Sequence, residues 1–261
     1  MLTKEASYAE MNLRIGIVAA EPSGDLLASE LMKELKDQHS NIEFEGIGGL
    51  HMEAQGFRSW APMERLSVIG LFEVIRYLPK IILIKRDLIK RWKKRAPHIF
   101  IGVDAPDFNI NLEKKLKDRG VITIHYVCPS IWAWREKRVN KIYKSVDLIL
   151  SIFPFEKNIL NKFNIRNHYI GHTLATKMPM QANRAEAKAL LQISEKKEVL
   201  AILPGSREIE VKRLARPFLE TALICKEAIP DLHIVVPLAN KITTKIWREK
   251  VKKHARPLPS A

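Results

Sequence analysis

The sequence predicts an α/β protein: a doubly wound parallel sheet followed by an incomplete second Rossmann-like domain. Three observations predict it. Short β-branched apolar runs recur, and each ends in a loop rich in Gly, Pro, Ser or Asp. Stretches with leucines at helical spacing lie between them. After residue 178 a polar connector interrupts the alternation, and a second strand–loop–helix–strand series begins. The domains are therefore 1–178 and 179–261.

LRIGIVAA (Leu13–Ala20) reads as a buried strand, closed by Glu21-Pro22-Ser23-Gly24-Asp25. A helix follows, with Leu26, Leu27, Leu31 and Leu35 on one side and Ser23 or Asp25 as its cap. IEFEGIGG (Ile42–Gly49) is the next strand, completing a βαβ unit whose ligand end is the loop after the first strand. Further strands fall at HIFIGVD, at Val121–Val127, at Asp147–Pro154 and at His168–His172. The second domain opens with VLAILPGSRE (Val199–Glu208), a helix over about 211–228, the strand Leu232–Ala239 and a basic helix ending near His254. Two strands cannot cover both sheet faces, so exposure of Val235, Val236 and Leu238 is expected.

Lys plus Arg number 44 against 29 acids, for a net charge of +15 and a pI near 9.8. That excess favours anionic partners: nucleic acid, a phosphorylated substrate or an acidic membrane surface. No helix-turn-helix, RNA-recognition or OB pattern supports nucleic acid. Two cysteines, Cys128 and Cys225, exclude a disulfide scaffold and fit a reducing cytosol. The first residues carry no apolar signal region, and no apolar run is long enough to span a membrane.

Residues 68–95 combine both characters. From Arg76 to Arg95 there are nine basic residues and one acid, Asp87, interleaved with apolar residues such as Leu78, Ile82 and Trp92. Pro79 is expected to split the stretch into two helices. The composition suits an interface with anionic headgroups, through Ile69, Leu71, Phe72, Ile75, Lys85, Arg86, Lys90 and Arg91. From composition alone, a core-packed helix pair with a solvated basic face fits too.

No GxGxxG, GxxxxGK[ST] or DxD pattern is present, which excludes the dinucleotide and P-loop fingerprints. Asp104 in GVDAPDFN stands at the carboxyl end of a buried strand, where a carboxylate can act as a general base. Asp107 reads as a helix cap. LPGSRE repeats the strand-to-helix logic: Gly205 and Ser206 offer backbone N–H groups, and Arg207 offers a fork suited to phosphate. HYVCPSIWAWREKR gathers His125, Trp132, Trp134 and Arg135, which suit a sugar or an acyl chain, or simple packing.

Taken together, AAEPSGDLLASEL, GIGGLHMEAQGF, LSVIGLFEVI, GVDAPDFN, IHYVCPSIWAWREKRVNKI, FPFEK, YIGHTLA and LPGSREIEV resemble the lipid-A-disaccharide synthase family. These are glycosyltransferases of the GT-B type (glycosyltransferase family 19). Departures are Ala20 where the family usually has Gly, Leu50-His51 in place of Pro-Arg, and Cys128 in place of Ser. Family chains continue well past residue 261, so the resemblance implies a C-terminally truncated member.

The resemblance implies inverting transfer of 2,3-diacylglucosamine from its UDP derivative to 2,3-diacylglucosamine 1-phosphate. Asp104 is then the catalytic base, and Gly205, Ser206 and Arg207 hold the donor diphosphate. Glu21, Ser23 and Asp25 line the inter-domain cleft. It implies no cofactor, no metal and no nucleic acid, and a homodimer as an assembly of the full-length family. The place of action is cytoplasmic, peripheral on the inner face of the bacterial inner membrane. The rival expectation is an inactive truncated remnant that only binds lipid or anionic membrane.

Overall fold

The computed structural model describes residues 12–66, 71–130 and 139–254, with the backbone alone for 71–77 and 254. The chain divides into two compact units, Met1–Met178 and Pro179–Ala261.

The first unit contains β1 (Leu13–Ala19), α1 (Pro22–Gln38), β2 (Ile42–Ile47), α2 (Leu50–Ala54), β3 (Arg58–Ser59), α3 (Leu71–Lys94) and β4 (Ile99–Val103). It continues with α4 (Pro106–Lys117), β5 (Ile122–Tyr126), α5 (Val139–Ser145), β6 (Leu148–Ser151), α6 (Pro154–Lys162), β7 (Asn167–Tyr169) and α7 (Thr173–Lys177). The seven strands form one sheet in the order β3-β2-β1-β4-β5-β6-β7, and every pairing is parallel. Strand order reverses direction between β1 and β4, which opens a ligand crevice at their carboxyl ends.

The period-2 alternation of β1 explains the layering. Ile15 and Ile17 pack with Ala28, Met32, Phe44 and Met52 on one face. Val18 packs on the other face with Leu88, Trp92, Phe100 and Leu112. Full burial of each such side chain contributes about 1.5–3 kcal/mol. Trp92, 1% exposed, anchors α3: its ring meets Trp60 and Phe100, each at 5.3 Å, and its indole N–H donates to Glu45 Oε1 at 3.3 Å.

Three expectations change here. Pro79 lies inside α3, which runs unbroken over 24 residues instead of splitting. A proline removes one backbone bond, and the turns that follow it, packed through Ile81, Ile84 and Leu88, hold the helix in place. Helix α1 starts at Pro22 with Glu21 as N-cap and no side-chain cap, so neither Ser23 nor Asp25 caps it. Asp107 sits in the first turn of α4, whose N-cap is Ala105.

The second unit holds α8 (Arg184–Leu190), β8 (Val199–Ala201), α9 (Glu208–Ala228), β9 (His233–Val235) and α10 (Lys241–His254). The parallel pair β8–β9 is its sheet. A small core joins Ile202, Val211, Ala215, Ala222 and Trp247. Val236 and Leu238 pack on this core and Val235 is half-buried, so the exposure expected of these three is not found. It falls instead on Leu203, Leu223 and Ile224, which are 66%, 53% and 67% exposed.

Candidate functional site

The segments that follow β1 and β4 at the switch point carry four of the sequence-predicted residues, Glu21, Ser23, Asp25 and Asp104. After β4 the backbone makes an unusual turn: Asp104 and Ala105 both have positive φ, 50° and 44°. Two consecutive left-handed residues with side chains cost about 1–3 kcal/mol each, so something must hold them. Asn109, fully buried, does so. Its amide donates to the carbonyls of Asp104 at 2.8 Å and of Val103 and Val18 at 3.3 Å. The Asp104 N–H in turn donates to the Tyr126 carbonyl at 2.9 Å. Asp104 is thereby fixed, half-buried, at the end of the central strands.

Beneath this turn, Glu113 and His125 form a fully buried pair, Oε1 to Nδ1 at 2.6 Å. Burial pushes the Glu113 carboxyl above its ordinary range, and the nearby imidazole offsets only part of this. Gly102 admits the pair: a Cβ there would lie 2.2 Å from Glu113 Oε1. His125 therefore faces the interior and not a ligand, while Trp132, Trp134 and Arg135 lie outside the described residues.

A pocket of about 800 Å³ opens beside the turn, within the first unit. Ala20 and Glu21 come from the loop after β1, and Ala105, Pro106 and Asp107 from the start of α4. Its apolar wall is Leu66, Leu78, Ile81, Ile82, Ile89 and Phe108. Lys85, Arg86, Lys114 and Lys115 supply cations to the same concavity. Apolar wall and basic residues together suit an anionic amphiphile.

The EPSGD loop divides its roles. Glu21 lines the pocket and Ser23 is exposed. Asp25 is 1% exposed, and its carboxylate accepts three backbone N–H bonds, from Gly49 at 2.8 Å, His51 at 3.0 Å and Met52 at 3.1 Å. It ties the β2–α2 loop down, so its part in any site is structural rather than by lining a surface. Its acidity at a helix start is the sequence signal, read there on the wrong helix.

In the second unit, Gly205 (φ 117°) turns the chain into α9. The Ser206 and Arg207 N–H groups donate to Glu210 Oε2 at 3.0 and 3.2 Å, and Arg207 Nη1 meets Glu210 Oε1 at 2.8 Å. Burial pushes the Glu210 carboxyl up, but the guanidinium and the two N–H groups outweigh it and hold it below its ordinary value. The donors expected to hold a phosphate thus converge on one carboxylate. Glu210 was not singled out in the sequence, although an acid three residues after a helix cap is a capping-box signature.

The basic apolar stretch also divides. Leu78, Ile82 and Leu83 are 45%, 48% and 62% exposed, and Arg86 and Lys90 are exposed beside them. Arg91 pairs with Asp87 at 2.8 Å and stacks over Trp60 at 5.1 Å. Lys85 is half-buried in the pocket, over the Phe108 ring at 4.6 Å. Ile69 and the side chains of Leu71, Phe72 and Ile75 lie outside the described residues. Among the described residues, no helix is long and apolar enough to cross a membrane.

Comparison with known proteins gives a consistent answer. A family model described as lipid-A-disaccharide synthetase matches residues 15–258. The lipid-A-disaccharide synthase of Pectobacterium carotovorum is 48% identical over 228 residues, 87% of this chain and 60% of the relative. That of Yersinia pseudotuberculosis is 47% identical over 240 residues, 92% of this chain and 61% of the relative. The chain thus spans about 60% of the length of these relatives. Among solved structures, the UDP-GlcNAc 2-epimerase of Neisseria meningitidis aligns with a TM-score of 0.57 at 12% identity, covering 93% of this chain and 70% of that one. The Methanocaldococcus jannaschii enzyme of the same name aligns at 0.55 with 15% identity, covering 95% and 72%. At such identities the likeness is one of fold, and it is to the two-domain α/β architecture of GT-B type.

Proposed function

The chain belongs to the lipid-A-disaccharide synthetase family, and on that premise we propose that the protein transfers 2,3-diacylglucosamine from its UDP derivative to 2,3-diacylglucosamine 1-phosphate. The observation that carries the reading is Asp104, held by Asn109 at the sheet's switch point and directly preceding Ala105, which lines a pocket both apolar and basic. In the reaction, the acceptor hydroxyl oxygen attacks the anomeric carbon as the bond to the diphosphate breaks. Asp104 takes the hydroxyl proton, and UDP leaves with the bonding pair. The Ser206 and Arg207 N–H groups and the Arg207 guanidinium would receive the charge that develops on the diphosphate. Those donors meet Glu210 in the structure described, so a diphosphate would have to take over bonds that one carboxylate now makes.

The exposed Leu78, Ile82 and Leu83 beside Arg86 and Lys90 support peripheral contact with an anionic membrane surface, from which acylated substrates would be drawn. Co-sedimentation with anionic vesicles that weakens in salt and in Arg86→Glu/Lys90→Glu is expected; indifference to both would remove this part of the proposal. The transfer itself is tested by Asp104→Asn in a disaccharide-formation assay with purified lipid substrates, in the 261-residue chain and in a form extended to the relatives' length. Loss of general-base catalysis should lower turnover about 10²–10⁴-fold. Retention of more than roughly a tenth of the rate would exclude the base role.

A further inference from the structure

We propose that Glu113 and His125 are positioning residues for Asp104. Their buried pair fixes the rotation of α4 against the sheet, so that Asn109, one turn earlier on the same face of α4, meets the turn that carries the Asp104 carboxylate. This deepens the reading above and rests on it only for the chemical task of Asp104.

The placement of three side chains around one glycine leads there. Strand register sets His125 on β5 directly beside Gly102 on β4, two residues before Asp104. Asn109 and Glu113 stand at i and i+4 on α4, on one helix face. That face lies over Gly102: a Cβ there would come within 2.8 Å of Asn109 Cβ and 2.2 Å of Glu113 Oε1. The helix therefore meets the central strands along a polar seam. At its first rung the Asn109 amide donates to the carbonyls of Val18 on β1, Val103 on β4 and Asp104 in the turn. At its second rung Glu113 meets His125 at 2.6 Å, with one proton between them. Stability does not account for this seam. Asn109 Oδ1, Glu113 Oε2 and His125 Nε2 find no partner among the described residues, so their burial is only partly compensated. Apolar side chains of similar volume generally serve a core as well as a buried ion pair, or better. What apolar contact lacks is direction. A short bond between Glu113 and His125 tolerates little rotation or sliding of α4. Ala105 is the N-cap of α4, and both it and Asp104 have positive φ, so a shift of the helix reaches them at once. Their strain makes this turn the first part to relax when Asn109 moves.

The test replaces the pair with apolar residues of similar volume, Glu113→Met/His125→Leu, and compares this double variant with Glu113→Gln, which keeps a bond to His125. Amide hydrogen exchange in the 261-residue chain reads the turn directly, through the Asp104 N–H that donates to the Tyr126 carbonyl. In the double variant, exchange at Asp104 should quicken about tenfold, as the loss of one hydrogen bond implies. Exchange at Phe44, buried on β2, should not quicken. The denaturant midpoint should stay the same or rise. Turnover in the form extended to the relatives' length should fall about tenfold to a hundredfold at unchanged KM, because the base is displaced and the substrate contacts are not. Glu113→Gln should restore slow exchange at Asp104 and most of the turnover. A pair that served stability alone would give the reverse: a lower midpoint, with exchange raised at Phe44 as much as at Asp104. That result overturns the proposal, as does a double variant that fails to fold, or one that folds with Asp104 exchange and turnover intact. The exchange measurements need no substrate. Absence of transfer in the unaltered extended form, with Asp104 exchange quickened in the double variant, would therefore end the transferase reading and leave the positioning role standing.

Discussion

The two units use the same strand–loop–helix grammar and reach different solidity. In the first, seven parallel strands bury β1 and β4 on both faces, and the loops at their ends are fastened by buried side chains, Asp25 and Asn109. In the second, the described sheet has two strands, its core is a handful of residues, and its key loop is fastened by Glu210 at 31% side-chain exposure. The difference teaches where each task can sit. The proposed base, Asp104, which must keep one geometry, stands on the thick unit. The turn proposed to bind the diphosphate, whose donors would exchange one carboxylate for another anion, stands where Glu210 remains partly exposed.

The sharpest way to break this contrast is its pair of cysteines, one in each unit. Cys128 is 6% exposed, and burial, helped by the Glu156 charge, pushes its thiol up to about 12. At pH 8 that leaves its reactive thiolate fraction about 10³-fold below that of an ordinary cysteine. Cys225, half-exposed on α9, should be alkylated by iodoacetamide long before Cys128 in the native chain. Equal rates followed by mass spectrometry would mean that the first unit opens as readily as the second.

Next in size is Asp25→Ala. It removes three charge-assisted bonds and leaves buried N–H groups unpaired, so the first unit should lose about 3 kcal/mol in denaturant unfolding. Hydrogen exchange should quicken across α2 and β2 while α9 and α10 stay as they were. A loss under about 1 kcal/mol would show that the loop holds itself without the carboxylate.

The smallest effect belongs to Glu210→Ala. Its bonds are made at a partly exposed helix start, so the second unit should lose no more than about 1 kcal/mol. A loss as large as that of Asp25→Ala would erase the distinction between a structural tie and an exchangeable one.

Much of this was legible in the sequence. β-branched runs ending in Gly, Pro and Asp placed β1, β2, β4, β5 and β6, because a strand buried on both faces must be apolar throughout. Motif position also put Asp104 at a strand end and Gly205–Arg207 at a helix start. The two-residue β3 carries too few positions for periodicity to register, and it forms only because β2 offers a free edge. Asn109 and Glu210 escaped notice for another reason. Each acts on a backbone that is itself bent by the fold, and nothing in a linear pattern records that bend.

The sequence by itself therefore determined the α/β alternation, the family and the segments proposed to carry the chemistry, since these follow from local periodicity and motif order. Only the tertiary structure decided what each polar group faces. It turned Asp25 and His125 inward, gave Arg91 to Asp87 and Trp60, and drew Lys85 away from the exposed face of α3 into a pocket. Those partners lie 12 to 31 residues apart, or one helical turn away for Asp87, and their pairing is set by which elements pack together, which no single segment encodes.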